Sequence, residues 1–400
     1  MKRRSFLSMS ASAGAALWLP RGFGAQSPAP GDWFGGYGNL LILVELKGGN
    51  DGLNTVIPFA DPAYYMLRKN IGIRREQAIQ LDEHTALHPA LQPLMPLWRS
   101  RQLAIVQGVG YAQPNQSHFR SMEIWDTASR ADQYLRDGWL TRAFAQTVAL
   151  PAGFADGVVI GSAEMGPLAN GARSVKRAPS SRSIHVSELA SPALVHESAR
   201  LHDFGSTALK TADLLHPAPG AAQLKTAFPD GAFGNAIKTA MQMLATGDLP
   251  QRQWPNRHGI AVVRLTLNGF DTHQNQPRRQ AALLEQLAQG FASIKSALVE
   301  LGRWNDTLVM TYAEFGRRPR ENGDNGTDHG SVAPHFVMGG RVRGGLYGTP
   351  PMLARLDGNG TLPVGVDFRR LYATVLGPWW GLDAKAVLQQ RFEPLPLLRA

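Results

Sequence analysis

The chain has 400 residues, 44% of them hydrophobic and 18% charged, which is the composition of a globular protein with a substantial core. Its formal net charge is +10, but no Lys/Arg-rich block indicates a nucleic-acid-binding surface, so we expect no nucleic-acid partner. The absence of cysteine excludes disulfides, iron–sulfur clusters, thiolate zinc sites and cysteine nucleophiles.

The N-terminus is typical of a protein exported by the twin-arginine route. RRSFL at residues 3–7 matches the twin-arginine pattern, and the weakly apolar segment 8–19 is too short for a stable membrane span. We therefore predict a signal peptide over 1–25, a flexible lead-in over 26–38 and a single domain over 39–400. The predicted partner is the twin-arginine translocation machinery and the predicted location is periplasmic or secreted. The alternatives are an uncleaved anchor or a chance pair of arginines.

Apolar runs and helical periodicity alternate along the rest of the chain. The apolar runs predict strands at 39–46, 103–109, 158–160, 260–267, 306–311 and 335–338. Helical spacing of apolar residues predicts helices at 119–128, 196–215, 231–245, 278–304 and 368–380, whereas 162–190 reads as an irregular surface excursion. This order predicts an α/β fold with a mostly parallel sheet covered by helices on both faces. In such folds, ligands bind beyond the carboxyl ends of the strands.

Acidic and histidine residues follow several of the predicted strands. Asp51 comes after the first strand, Asp271 and His273 follow a later one, and Asp328 and His329 stand side by side in a Gly-rich segment. Carboxylate and imidazole together suit Zn²⁺, Mn²⁺ or a similar divalent ion. We therefore expect these five residues to be metal ligands at one edge of the sheet. Taken singly, each aspartate could equally cap a helix or form an Asx-turn.

Three further residues are candidates for catalysis. Ser117 and His118 stand where a helix should begin, and a serine hydroxyl there could act as a nucleophile beside a bound metal. Alternatively, Ser117 is an ordinary N-cap, and His118 is a base, a ligand or a core histidine. Arg317 could bind a phosphate or sulfate group through its guanidinium, or form an internal ion pair with Glu314.

Several motifs together resemble a widespread bacterial family of unknown function whose members typically carry twin-arginine signals. The motifs are LVELKGGNDGLN, PNQSHFRSMEIW, NGFDTH, AEFGRR and GTDHGS, and the resemblance spans about residues 39–380. This family is grouped by remote similarity with the alkaline phosphatase and sulfatase superfamily, which implies a three-layer α/β/α sandwich. The superfamily pattern of metal ligands and nucleophile maps onto Asp51, Ser117, Asp271, His273, Asp328 and His329.

The sequence departs from that superfamily pattern in two ways. No histidine follows His335, so the late histidine ligand is missing or replaced by His335, and Asp271 stands unusually close to His273. The resemblance implies an exported metal-dependent hydrolase of phosphate or sulfate esters that uses zinc or manganese on a small anionic substrate. The alternative is a non-catalytic periplasmic binding or scaffold protein with a degenerate site. The sequence leaves open whether the protein is an enzyme.

Overall fold

The computed structural model describes residues 38–147, 155–171, 174–177, 223–246 and 260–399. The predicted signal peptide, all but the last residue of the predicted lead-in and the predicted helix at 196–215 lie outside the described residues. None of the helices in the described part has the length and apolar character that crossing a bilayer requires.

The strands of the described residues vary from two to nine residues in length. In chain order they are β1 (Leu40–Lys47), β2 (Val56–Ile57), β3 (Ile79–Gln80), β4 (Ala86–Leu87), β5 (Leu103–Gly110), β6 (Ala155–Ile160), β7 (Ser174–Arg177), β8 (Ile260–Asn268), β9 (Thr307–Tyr312), β10 (Arg317–Glu321), β11 (Thr327–His329), β12 (Ala333–Met338), β13 (Gly345–Gly348) and β14 (Val366–Asp367).

The helices range from single turns to the 25 residues of the longest one. They are α1 (Gly52–Thr55), α2 (Pro62–Leu67), α3 (Met95–Arg99), α4 (His118–Thr127), α5 (Trp139–Ala145), α6 (Gly231–Thr246), α7 (Gln276–Glu300), α8 (Arg369–Thr374) and α9 (Ala384–Leu388). Short 3₁₀ turns at Pro89–Leu94 and Gly166–Leu168 connect other elements.

The central sheet has nine strands, in the spatial order β13-β5-β12-β9-β1-β8-β6-β7, with β14 beside β5. Strand β1 pairs in parallel with both β8 and β9, whereas β12 runs antiparallel to β5 and β9. The prediction of a mainly parallel sheet is therefore confirmed. Because Lys47 of β1 pairs with Asn268 of β8, the loops that follow these two strands leave the sheet at the same edge.

Helices cover both faces of this sheet, which confirms the predicted layers. In β1, Ile42 and Val44 face one apolar cluster while Leu41 and Leu43 face the other. Helices α6 and α7 pack against the first cluster, and α4, α5 and α8 pack against the second. Burial on both faces explains why the strand reads as a continuous apolar run rather than an alternating one. A small antiparallel sheet of β2, β4 and β3 lies over a third cluster.

Three details differ from the expectations. Within the predicted irregular segment, β7 pairs in parallel with β6 at the sheet edge. The predicted helix at 368–380 is instead α8 followed by a π-helical turn at Val375–Trp379, where Pro378 lacks the N–H of a regular helix. Finally, Asp328 and His329 lie on β11, which pairs antiparallel with β10, rather than in a loop.

Candidate metal centre

The loop after β1 lies directly against the loop after β8. Gly48 has a φ of +115°, and a Cβ at this position would lie 2.3 Å from the backbone nitrogen of Asp271. Only glycine allows both the conformation and the close approach. The Gly-rich sequence after the first strand therefore brings the backbone of β1 next to the aspartate that follows β8.

His118 is the first residue of α4 and is held by a buried carboxylate. Its Nδ1 lies 2.9 Å from Oε1 of Glu314, which follows β9 and also accepts a hydrogen bond of 2.8 Å from the backbone of Gly48. The hydrogen bond that His118 donates to Glu314 raises the pKa of His118. Because Nδ1 donates to Glu314, the Nε2 of His118 faces the other way, 3.5 Å from Oδ2 of Asp271.

His329 is oriented in the same manner by a backbone group. Its Nδ1 lies 2.8 Å from the carbonyl oxygen of Gln116, which can only accept, so Nδ1 carries the proton. Burial lowers the pKa of His329 and favours the neutral ring. Its Nε2 then presents a lone pair, 3.2 Å from Oδ1 of Asp271 and 3.0 Å from Nε2 of His273.

Asp271 is the anion on which these groups converge. Its Oδ1 lies 2.6 Å from Nη2 of Arg317 and 3.0 Å from Nε2 of His273. Partial burial opposes ionisation, but the hydrogen bond from Arg317 and the positive charge of its guanidinium outweigh it and lower the pKa of Asp271 to about 2. The carboxylate is therefore ionised at neutral pH, with three imidazole nitrogens around it.

His118, Asp271 and His329 form a group that could hold a metal ion. One ligand atom from each lies within 4.8 Å of the others. Among the described residues, this is the one group of three or more histidine, aspartate or glutamate side chains found close enough to share a metal ion. Two imidazole nitrogens and a carboxylate oxygen suit Zn²⁺ or Mn²⁺. The second nitrogen of each histidine is also fixed by an acceptor, as is usual for metal-binding histidines. His273 supplies a further imidazole beside Asp271.

The structure does not bring Asp51 into this group. Its carboxylate is buried against the guanidinium of Arg68, to which both oxygens bind. It also accepts hydrogen bonds from the side chain of Gln276, at 2.5 Å, and from the backbone of Leu53, at 3.2 Å, so that it caps α1. These partners use the lone pairs that a metal would need.

Asp328 lies outside the group as well, on the far side of His273. Its Oδ1 is 3.6 Å from Nδ1 of His273 and accepts a hydrogen bond of 3.3 Å from Asn322. At that distance the carboxylate lies beside the His273 ring without a hydrogen bond to it. Ser117 is exposed at the N-cap of α4, and its hydroxyl makes no capping hydrogen bond to the helix.

Arg317 holds loops together rather than presenting free donors. Its guanidinium donates to the carbonyl oxygens of Gly48, Gly49, Phe270 and Thr327 and to Asp271, and its side chain is fully buried. Its Nη1 also lies 3.5 Å from Nε2 of His273, so that each nitrogen of the guanidinium has an acceptor. The alternative ion pair with Glu314 does not form, because Glu314 binds His118 and Gly48 instead.

Comparison with known proteins places the chain in a family. The sequence profile of a family described as "Protein of unknown function (DUF1501)" matches residues 104–391. The chain belongs to this family. No curated protein matches its sequence.

Solved structures show similarities at low sequence identity. One is a protein in the alkaline phosphatase superfamily from Vibrio parahaemolyticus, with 10% identity over 79% of this chain and 63% of that chain and a TM-score of 0.37. Another is the lipoteichoic acid synthase LtaP from Listeria monocytogenes, with 10% identity over 78% and 71% of the two chains and a TM-score of 0.36. A third is the C-terminal periplasmic domain of EcEptC from Escherichia coli in complex with Zn, with 9% identity over 76% and 73% and a TM-score of 0.36.

In this DUF1501 chain, two important contacts were missed by the reasoning from sequence. Glu314 orients His118, and its position directly after the predicted strand at 306–311 was the available signal. The backbone carbonyl of Gln116 orients His329, for which a sequence offers no signal.

His335 is a core histidine in this structure. It is fully buried on β12, with Nδ1 lying 3.2 Å from the hydroxyl of Thr311 and its ring packed at 5.2 Å on Trp125. Burial lowers its pKa to about 3, so the ring is neutral. These contacts place it inside the sheet's packing and not in the group around Asp271.

Proposed function

We propose that this protein is an exported metal-dependent hydrolase of phosphate or sulfate esters, and that His118, Asp271 and His329 hold a divalent ion, zinc or manganese. The observation that carries the proposal is the convergence of two imidazole nitrogens on one ionised carboxylate. Zinc sites with three protein ligands keep a coordination position for water or substrate, which is the catalytic arrangement.

The electrostatics of the group favour a cation. Nε2 of a neutral His329 and Oδ1 of Asp271 both carry lone pairs, yet they lie 3.2 Å apart. Two acceptors at that distance repel each other unless a proton or a metal ion lies between them. Because the other nitrogen of His329 is committed to the carbonyl of Gln116, a metal ion satisfies this arrangement without disturbing it.

The N-terminus of α4 supplies features suited to an anionic ester. This helix has ten residues, begins at His118, and has no side chain capping its first N–H groups. Such free N–H groups bind phosphate or sulfate oxygens, and the helix dipole favours the negative charge. A bound metal would polarise the ester oxygen and lower the pKa of a coordinated water or hydroxyl. Ser117, exposed at the same helix end, is the proposed nucleophile.

Residues predicted as ligands from sequence take different parts in this proposal. His273 is the candidate for a fourth ligand, since its Nε2 lies 3.0 Å from Asp271. Asp328 lies beside His273 and outside the proposed ligand set, and Arg317 positions Asp271 while tying together the loops that follow β1 and β8. Asp51 acts as a structural anchor for the loop after β1.

Elemental analysis of the purified full-length protein tests the proposal. We expect about one equivalent of a divalent ion per chain, sharply reduced in Asp271→Ala and retained in the matched control Asp324→Ala, an exposed aspartate between β10 and β11. Hydrolysis of a panel of phosphate monoesters, phosphate diesters and sulfate esters should require the ion and fall by at least ~100-fold in Ser117→Ala. The absence of a stoichiometric ion, together with unchanged hydrolysis in Asp271→Ala, would refute it.

A second candidate function is a non-catalytic binding protein that retains the metal site. It is favoured by the engagement of every Arg317 guanidinium nitrogen by protein acceptors and by the absence of a histidine after His335. This function predicts a bound metal and anion binding without turnover of any ester in the panel. The two functions are thus distinguished by turnover, while both require the metal.

A further inference from the structure

An apolar cavity lies beside the candidate metal centre, at the same edge of the sheet. It has a volume of about 310 Å³ and is formed where the end of β5 and the start of β12 meet the segments that precede β14. Arg317 lines this cavity and also binds Asp271, so the two features share a residue. A volume of this size is at the lower end of small-molecule sites.

The walls of the cavity are rigid and apolar. Four prolines line it: Pro334, Pro350, Pro351 and Pro363. Met352 and Val364 also line it and are 40% and 37% exposed, so apolar surface continues to its mouth. Proline rings cannot rotate away, and methionine adapts to a neighbouring ring through its polarizable sulfur. These walls suit a flat, rigid group.

The occupant must be uncharged, because the cavity offers no free charge. Among the lining residues, all of which the structure describes, Arg317 alone is ionisable. Its guanidinium nitrogens already contact four carbonyl oxygens, Asp271 and His273. A charged group in the cavity would lose its hydration without gaining a partner, which is unfavourable.

One polar side chain in the wall remains available. Gln107 lines the cavity at the end of β5 and is 5% exposed, and within the described residues no hydrogen bond engages its side-chain amide. Its backbone carbonyl is already used by the N–H of Thr349. A ligand that bonds to this amide from the cavity would gain affinity and orientation.

We propose that this cavity binds a neutral aromatic group of about two fused rings that carries one hydrogen-bonding substituent for Gln107, because a cavity of roughly half this volume accommodates a single benzene ring. The group is either a free molecule or the organic part of an ester held at the neighbouring metal centre. The proposal stands on the cavity alone and does not depend on hydrolysis.

Binding of 2-naphthol to the full-length protein, freed of metal by a chelator, tests the cavity independently of the metal centre. We expect a dissociation constant on the order of 0.1–1 mM, measured by calorimetry. The mouth variants Val364→Asp and Met352→Asp should each weaken binding by about tenfold or more, because they place a charge beside the ring. The matched control Val299→Asp alters a residue that is 55% exposed on α7 and should leave binding within about twofold.

A third variant tests the hydrogen bond. Gln107→Leu keeps a side chain of similar size and should weaken 2-naphthol binding by about fivefold, the effect of one neutral hydrogen bond. The absence of 2-naphthol binding to the wild-type protein would overturn the proposal. Equal affinity of the mouth variants and Val299→Asp, with circular dichroism showing all of them folded, would also overturn it.

A second ligand distinguishes the two sources of the aromatic group. With zinc-loaded protein, 2-naphthyl phosphate should bind more tightly than 2-naphthol if the group belongs to an ester, and Asp271→Ala should abolish the difference. Equal binding of the two compounds identifies a free neutral molecule as the occupant. Both outcomes support the cavity as an aromatic site, and only the first links it to the metal centre.

Discussion

The buried ion pair between Asp51 and Arg68 gives the sharpest prediction about the fold around the site. Both side chains are fully buried, and Asp51 also caps α1. In Asp51→Ala the guanidinium of Arg68 would keep its hydrogen bonds to the carbonyl of Pro319, at 2.8 Å, and the side chain of Asn54, at 2.8 Å, but it would lose its counter-charge. The variant therefore leaves an uncompensated charge in the protein interior.

The size of the effect follows from these contacts. Removing one partner of a buried pair costs about 3–5 kcal/mol, and losing an N-cap typically costs about 1 kcal/mol. Because Arg68 retains other acceptors, we expect a loss of about 3–5 kcal/mol in the free energy of unfolding. Asp61→Ala is the matched control, since Asp61 caps α2 through the N–H of Ala63. Its expected cost is about 1 kcal/mol.

Urea unfolding followed by tryptophan fluorescence measures these losses, and elemental analysis of the folded protein measures the metal. We expect Asp51→Ala to be far less stable than Asp61→Ala, yet to bind its ion when folded. The double variant Asp51→Leu/Arg68→Met should recover much of the stability, because it removes both charges. If Asp51→Ala instead lost the metal while costing no more stability than Asp61→Ala, Asp51 would be a ligand and the present interpretation would be wrong.

Three further predictions concern the centre and the core. Glu314→Ala should lower metal affinity by about 10–100-fold in a chelator competition, because His118 loses its orienting acceptor; unchanged affinity would exclude this role. Arg317→Lys should cost about 2–4 kcal/mol in urea unfolding, since one ammonium cannot replace five directed donors, and a cost below about 0.5 kcal/mol would contradict the contacts. Burial, partly opposed by Asp51, lowers the pKa of His88 from 6.5 to about 4, so its stabilising contribution is present above pH 6.5 and is lost as the pH falls toward 4. Wild type should therefore lose about 1 kcal/mol more than His88→Asn between roughly pH 7.5 and 5.5, and equal losses would refute a buried neutral ring.

Much of the fold could be predicted from local patterns. The strand predicted at 39–46 is β1, and its observed bounds differ from the predicted ones by one residue at each end. The prediction succeeds because a strand buried on both faces must be apolar throughout. The helix predicted at 278–304 corresponds to α7. Its apolar residues recur with helical spacing because one face of the helix packs on the sheet. The hairpin of β10 and β11 was missed, because its short strands are rich in charged residues and lack any apolar alternation.

The residue types at the strand ends could also be predicted from the sequence, but which of these residues lie together could not. The sequence alone determined that acids and histidines follow the strands and that no cysteine competes for a metal. It could not separate Asp51 from Asp271, because each is an aspartate after an apolar run. Tertiary structure made the distinction: Arg68 takes up the charge of Asp51, whereas His118 and His329 converge on Asp271. Partners distant in sequence decide which carboxylate is enclosed by a buried arginine and which stands among histidines that could hold a metal, and no local pattern encodes those contacts.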